Sequence, residues 1–233
     1  MKRLGILGGL GPESTIDYYR AVLAAARSLM PPAATAPLLI NSVDLPTVRR
    51  MVEQDARPEL TDYLVRELDV LARAGAALAL IAANTPHIVF DEVRARATLP
   101  LLSIVEATCA AARGAGYARV GLLGTRFTMQ GRFDPETFSR AGIDIVMPTA
   151  DDQAYVHGKY IGELIDGVLL PATREGLLQV IERLAGEGVQ AVILAGTELP
   201  LILPDRQASG IPLLDTTRIH VGTAVRTLWQ ATA

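Results

Sequence analysis

Residues 3–9 of this sequence read Arg3-Leu4-Gly5-Ile6-Leu7-Gly8-Gly9, and residues 119–125 read Arg119-Val120-Gly121-Leu122-Leu123-Gly124-Thr125. Near the end of each half a second pair matches, Leu80-Ile81-Ala82-Ala83-Asn84-Thr85 with Val192-Ile193-Leu194-Ala195-Gly196-Thr197. Short apolar runs that end in Gly, Asn or Thr are typical of buried parallel strands. We interpret the two matches as an internal duplication. The alternative is a coincidence between generic buried strands with glycine turns.

The apolar runs alternate with segments of helical period, so the predicted class is α/β, with two similar lobes built on mostly parallel sheets. A helix is predicted over Pro58–Ala74, followed by Gly75 as a left-handed cap. Another is predicted over Thr173–Ala185, with Thr173 as N-cap and Gly186 as the stop. The predicted strands are Arg3–Gly8, Pro37–Val43, Ala77–Ala83, Leu101–Ile104, Arg119–Gly124, Ile143–Met147, Ala191–Leu194 and Pro212–Leu214.

The composition excludes several classes of function. A chain of 233 residues that is 50% hydrophobic can bury a sizeable core, and a net charge of −3 argues against nucleic acid or an anionic membrane as the main partner. Neither a membrane span nor a signal peptide is expected, so the predicted location is the cytoplasm. With one cysteine, Cys109, and three histidines without ligand spacing, we expect neither a disulfide nor a metal site.

The loop Gly8-Gly9-Leu10-Gly11-Pro12-Glu13-Ser14-Thr15 follows a strand and opens a helix, where backbone N–H groups can bind an anion. It is not a good nucleotide loop, because the third glycine of the dinucleotide fingerprint and the lysine of a P-loop are both missing. A small carboxylate site is the favoured interpretation. A tight turn of purely structural purpose is the alternative.

Polar groups follow three of the predicted strands: Asn84-Thr85, Thr125 with Thr128, and Thr197-Glu198. Taken singly, each Asn or Thr could simply cap the helix that follows. Together they indicate recognition of a carboxylate, since each charge-assisted hydrogen bond contributes roughly 1.5–3 kcal/mol.

Five motifs in combination resemble the aspartate/glutamate racemase family: the loop at residues 8–15, Asn84-Thr85-Pro86-His87, residues 122–129, Gly196-Thr197-Glu198-Leu199 and residues 215–220. The resemblance implies two α/β domains, residues 1–98 plus 211–233 and residues 99–210, with a ligand cleft between them. It also implies an isomerase, an amino-acid racemase that acts on acidic amino acids without a cofactor, and a homodimer.

In that family two cysteines exchange protons with opposite faces of the substrate. The resemblance places them at Ala83 and Gly196, and neither of these residues can transfer a proton. A positioned acid or base contributes about 10² to 10⁴ in rate, so the loss of two is large. Whether the chain is an enzyme is therefore left open by the sequence.

His87 and Glu198 are the candidate replacement acid–base groups, although His87 could merely orient its loop and Glu198 could stabilise a helix start. Cys109 is expected to be a buried structural thiol. The weaker candidates Asp44, Lys159 and Tyr160 are expected to be solvated surface groups. The predicted substrate-binding residues are Gly9, Leu10, Arg49, Asn84, Thr85, Thr125, Thr128 and Thr197. Arg49 and Arg50 resemble the family region that supplies a guanidinium to the distal carboxylate, and the equal alternative is a solvated helix face.

Two functions follow. The first is a racemase-type protein that acts on or binds a small acidic amino acid or dicarboxylate without the two-thiol mechanism. The alternative is a catalytically silent carboxylate-binding module, or a related non-thiol isomerase or decarboxylase. A nucleotide-using enzyme is the least supported.

Overall fold

The computed structural model describes residues 2–27, 29 and 35–229 of the chain. The strands are β1 (Arg3–Gly8), β2 (Leu38–Ser42), β3 (Ala76–Ile81), β4 (Leu101–Leu102), β5 (Arg119–Gly124), β6 (Asp144–Val146), β7 (Ala191–Ala195), β8 (Gln207–Ala208) and β9 (Ile211–Asp215). The α-helices are α1 (Pro12–Ala26), α2 (Leu45–Glu53), α3 (Arg57–Arg73), α4 (Phe90–Arg96), α5 (Ile104–Gly114), α6 (Arg126–Met129), α7 (Phe133–Arg140), α8 (Ala150–Gly162), α9 (Pro171–Gly186), α10 (Leu199–Ile202) and α11 (Thr216–Trp229). Two 3-10 helices span Thr85–Val89 and Leu164–Asp166.

The chain divides into two compact units, Met1–Ile104 with Thr217–Ala233 and Val105–Thr216. Each unit has its own sheet, which confirms the predicted α/β class with two lobes. The sequence-based boundaries, after residues 98 and 210, differ from these by about six residues. At the second boundary the reason lies in the backbone of β9, since Leu213, Leu214 and Asp215 pair with β7 in the second sheet.

The sheet of the first unit has the order β2-β1-β3-β4 and is parallel throughout. Its central strands β1 and β3 are the most apolar, so they are buried between helices, as the continuous apolar runs predict. One core cluster joins these strands to α1 and α11 through Ile6, Leu80, Tyr18 and Val225. This packing fixes where the strands end and hence where the polar loops begin.

The helix predicted over Pro58–Ala74 is α3, and its apolar stripe is buried. Gly75 adopts a left-handed conformation with φ of 89°, which confirms the predicted cap.

The sheet of the second unit has the order β6-β5-β7-β9-β8, with only β8 antiparallel to its neighbour among the described strands. The predicted end of α9 at Gly186 is confirmed, but Thr173 is not its N-cap. The helix begins earlier, at Pro171, because proline fits the first helical position. Thr173 lies buried in the first turn, where its hydroxyl donates to the carboxylate of Glu163.

None of the described helices is long and apolar enough to cross a membrane.

Candidate functional site

Two of the predicted loops meet at one edge of the first sheet. Leu7 pairs with Ile81, and the amide of Ala82 donates to the carbonyl of Leu7 at 2.9 Å. Because the carboxyl ends of parallel strands share an edge, the loop after β1 and the loop after β3 are neighbours. The hydroxyl of Ser14 links them, bonding the carbonyls of Gly11 at 2.9 Å and Ala82 at 3.4 Å.

The loop after β1 is held by its own helix. Gly9 has φ of 78°, and a Cβ there would lie 2.6 Å from the amide nitrogen of Val43, so only glycine fits this turn. Its N–H donates to the hydroxyl of Thr15 at 2.9 Å, and that hydroxyl donates to the carbonyl of Gly11 at 3.1 Å. Leu10 is buried beside it. The geometry at Gly9 therefore favours the structural-turn alternative for this amide.

The loop after β3 contains Ala83 and Asn84, both buried, and then Thr85, which starts a 3-10 helix with Pro86 in its first turn. Asn84 occupies the N-cap position but makes no side-chain cap bond there. The sequence-based alternative, in which Asn84 only caps a helix with its side chain, is thus not what the geometry favours.

His87 is buried and uses both ring nitrogens on the backbone. Nδ1–H donates to the carbonyl of Ala83 at 2.9 Å, Nε2 accepts from the amide of Ile104 at 3.3 Å, and the ring stacks on Phe90 with centroids 4.7 Å apart. Burial, followed by the nearby His220, lowers the pKa of His87 to about 3, so the ring is neutral. This arrangement supports the alternative in which His87 orients the loop.

His220 is a second buried histidine, and sequence reasoning assigned no role to its side chain. Its Nε2–H donates to the carbonyl of Leu102 at 3.0 Å, and its Nδ1 accepts from the hydroxyl of Tyr18 at 3.0 Å. Burial lowers the pKa of His220 to about 4, and the ring lies 6.4 Å from that of His87. The two histidines tie α1, β4, α11 and the loop after β3 together.

In the second unit, the loops after β5 and β7 are neighbours because Gly124 pairs with Ala195. Thr125 is the N-cap of α6: its hydroxyl oxygen accepts from the amide of Thr128 at 3.4 Å, and the two hydroxyls lie 3.2 Å apart. Both side chains are buried. The helix cap and the contact between the two hydroxyls therefore fix the side chains of Thr125 and Thr128, two of the predicted substrate-binding residues.

At the end of β7 a buried carboxylate is held by two hydroxyls. Tyr160 donates to Oε2 of Glu198, and the hydroxyl of Thr197 donates to the same oxygen at 3.1 Å. Glu198 is 1% exposed and Tyr160 is 6% exposed. Burial, together with the neighbouring Glu198, raises the pKa of Tyr160 well above its usual value, so the phenol stays protonated and remains a donor.

The expectation that Tyr160 is a solvated surface group was wrong. Val156 and Tyr160 lie one turn apart on the buried face of α8. That i, i+4 spacing was the signal in the sequence, but it does not reveal that the hydroxyl meets Glu198.

The remaining charged candidates make local contacts. Arg49 lies on the exposed face of α2, where it pairs with Glu53 at 2.8 Å, as expected of a solvated helix face. Arg50 pairs with Glu59 at 3.0 Å, Asp44 caps α2 by accepting from the amide of Thr47 at 3.0 Å, and Lys159 pairs with Glu163 at 2.5 Å. Cys109 is buried in α5, as predicted, and burial raises the pKa of its thiol. Within residues 2–27, 29 and 35–229, no group of three or more His, Cys, Asp or Glu side chains could hold a metal ion.

A family model described as Asp/Glu/hydantoin racemase matches residues 7–224. The chain belongs to this racemase family. A structure of a putative Asp/Glu racemase from Yersinia pestis is 31% identical, with a TM-score of 0.88 over 98% of this chain and 99% of that one. An aspartate racemase homologue from Pyrococcus horikoshii OT3 is 32% identical, with a TM-score of 0.81 over 99% of this chain and 100% of that one. A broad specificity amino-acid racemase of Bacillus subtilis (strain 168) is 24% identical over 96% of this chain and 97% of its own length.

Compared with the pattern that the racemase resemblance implies, this family member has no ionisable side chain at either expected thiol position. Ala83 offers a buried methyl group after β3, and Gly196 offers no side chain after β7. The polar groups beside both positions are nevertheless in place, namely Asn84 after the first and Thr197 with Glu198 after the second.

Asp134 is a buried acid in the second unit of this racemase-family fold that sequence reasoning missed. It lies in the first turn of α7, and burial raises its pKa to about 7. Its only signal in the sequence is a position next to Phe133, which gives no indication of burial.

Replacing this acid should change how stability depends on pH. A raised pKa in the folded state means that the folded protein binds the proton more tightly, so the contribution to stability is complete near pH 4 and is lost as the pH rises through about 7. We expect Asp134→Asn, which stays neutral, to gain stability relative to the parent protein over that interval. Urea unfolding at pH 5 and pH 8 measures the difference, with exposed Asp91→Asn as the control. An equal effect of Asp134→Asn at both pH values would contradict this expectation.

Proposed function

We propose that this racemase-family protein binds a small acidic amino acid or dicarboxylate and acts on it without a two-thiol mechanism. The observation that carries the proposal is the contrast at the strand ends. Buried amide, hydroxyl and carboxylate groups follow β3, β5 and β7, while the two positions where the resemblance expects thiols are Ala83 and Gly196. A site that kept its binding groups and lost both thiols fits binding better than ordinary racemisation.

The chemistry of the donors supports an anionic ligand. Asn84, Thr85, Thr125 and Thr128 are neutral hydrogen-bonding side chains, which bind a carboxylate without competing charge. Two of these groups, Thr125 and Thr128, are fixed by capping and by their mutual hydrogen bond, so little of their side-chain entropy is lost on binding. The names of the relatives, which include amino-acid and aspartate racemases, support an amino-acid ligand.

The buried Glu198 with its two hydroxyl donors favours a non-thiol enzyme, an isomerase or decarboxylase, over a catalytically silent binding module. A buried carboxylate at the end of a strand is costly to keep unless it has a use. A homodimer, a cytoplasmic location and activity without a cofactor belong to the same proposal. Their support is the family resemblance.

Calorimetry with aspartate, glutamate and related diacids tests the proposal, and we expect binding at or below millimolar concentration. Asn84→Ala and Thr128→Val should each weaken binding roughly ten- to hundredfold, because each removes one charge-assisted hydrogen bond. Thr98→Val is the matched control, since that exposed hydroxyl bonds Asp69. If no diacid binds, or if all three variants bind alike, the proposal is wrong.

A further inference from the structure

Gly196 lies directly against the ring of Tyr160. A Cβ built on Gly196 would overlap Cε2 of Tyr160 and would lie 3.1 Å from Cζ and 3.2 Å from the hydroxyl oxygen. Gly196 is not among the described residues with positive φ, so its backbone would accept a side chain. Packing against Tyr160, and not the backbone conformation, is therefore what restricts position 196 to glycine.

The ring of Tyr160 cannot easily move away to make room. It projects from α8, is 6% exposed, and donates through its hydroxyl to Glu198. Moving the ring would take one donor from a carboxylate that is 1% exposed, and buried acceptors are costly to leave without donors. The contact thus couples the ring position, the hydrogen bond and the glycine.

We propose that Tyr160 is the residue that determines what the end of β7 offers to a ligand: its ring excludes any side chain from position 196, and its hydroxyl positions Glu198. Position 196 and Tyr160 form one steric unit in which only one side chain can occupy the space. We call the exclusion of a side chain from position 196 the steric half of the proposal, and it rests on packing alone. The positioning of Glu198 by the Tyr160 hydroxyl is the polar half. The statement that a ligand uses this strand end rests on the proposed function.

A double-mutant cycle, followed by thermal unfolding, tests the steric half with alanine as the smallest possible side chain at position 196. Gly196→Ala should lower the midpoint temperature by roughly 3–10 °C, as expected for overpacking a buried site in a chain of this size. Tyr160→Phe keeps the ring but removes its bond to Glu198, so adding Gly196→Ala to it should still be destabilising, though by less than in the wild type. Tyr160→Ala removes the ring and is itself destabilising, yet adding Gly196→Ala to it should cost little.

Gly158→Ala is the matched control, because this glycine lies in the same helix as Tyr160 and a Cβ there meets nothing within 4 Å. It should leave the midpoint unchanged or raise it. The steric half is overturned if Gly196→Ala is as harmless as Gly158→Ala, or if its cost is the same with and without the ring at position 160.

The polar half is tested by calorimetry on Tyr160→Phe, which keeps the ring in place and loses only the hydroxyl. We expect its affinity for the tightest-binding diacid of the wild type to fall at least about fivefold, since Glu198 loses a donor that fixes it. Unchanged affinity overturns the polar half. If the wild type binds no diacid, the proposed function fails, while the unfolding cycle still decides the steric half independently.

Discussion

The triple variant Ala83→Cys, Gly196→Cys, Tyr160→Ala is expected to racemise aspartate or glutamate at least about 100-fold faster than the unchanged protein. Inversion at Cα needs an ionisable group on each face, and a methyl group with a hydrogen atom supplies none. Each positioned acid or base contributes about 10² to 10⁴ in rate, so two restored thiols offer a large gain. Chiral analysis of the amino acid after incubation measures it.

The double variant Ala83→Cys, Gly196→Cys keeps Tyr160. It separates the effect of the restored thiols from the effect of removing the Tyr160 ring. Ala83→Cys with Gly196→Cys restores both thiols that the resemblance expects, but the new Cβ at position 196 would overlap the Tyr160 ring. We therefore expect the double variant to be less active than the triple variant, whereas stability does not separate them, because Tyr160→Ala is itself destabilising. Each single thiol serves one face of Cα, so each single variant should exchange the α-proton for deuterium without inversion.

Cys109→Ala provides the control, because this buried thiol should have no part in the reaction. Rapid racemisation by the unchanged protein that survives Cys109→Ala would contradict the argument from the missing thiols. It would point to Glu198 as a group that transfers the proton, since the backbone occupies both ring nitrogens of His87.

His87→Ala is expected to lower the free energy of unfolding by about 3–4 kcal/mol, because it removes a buried ring and two hydrogen bonds to the backbone. The substitution leaves the carbonyl of Ala83 and the amide of Ile104 without the imidazole, and it removes the stacking on Phe90. Urea unfolding at pH 7 measures the loss. His157→Ala is the control, since His157 is only partly buried and should cost about 1 kcal/mol or less.

The pH dependence distinguishes a neutral buried histidine from an ordinary one. The pKa of His87 in the folded state, about 3, lies below the usual value of 6.5, so the unfolded chain binds more protons between these values. The contribution of His87 to stability is therefore complete above about pH 6.5 and is lost as the pH falls toward about 3. His220 acts in the same direction down to about pH 4.

His87→Gln should accordingly show a smaller loss of stability than the parent protein between pH 6.5 and pH 4, although it is less stable at pH 7. If the two proteins lose stability in parallel over this interval, His87 is charged in the folded state. The hydrogen-bonding scheme with Ala83 and Ile104 would then be wrong.

The sequence by itself determined the fold class and the places where the strands end. Apolar runs such as Arg3–Gly8 and Arg119–Gly124 coincide with β1 and β5, and the other predicted strands agree with the structure to within a few residues. Strand position follows from local hydrophobic pattern, and glycine, asparagine and threonine mark where a strand ends. The resemblance added the family and the prediction that Ala83 and Gly196 stand where other members have thiols.

Only the tertiary structure decided which of those side chains meet. Tyr160 stands 38 positions before Glu198, and nothing in the local pattern of α8 or β7 indicates that their side chains share a hydrogen bond. The same holds for His220, whose partner Tyr18 lies 202 positions away, and for β9, which pairs with β7. Periodicity reports which face of an element is apolar, whereas long-range packing sets the partner of a buried polar group. In the sequence, Gly196 is the position where the family resemblance expects a thiol. In the structure, the ring of Tyr160 occupies the space that a side chain at Gly196 would need.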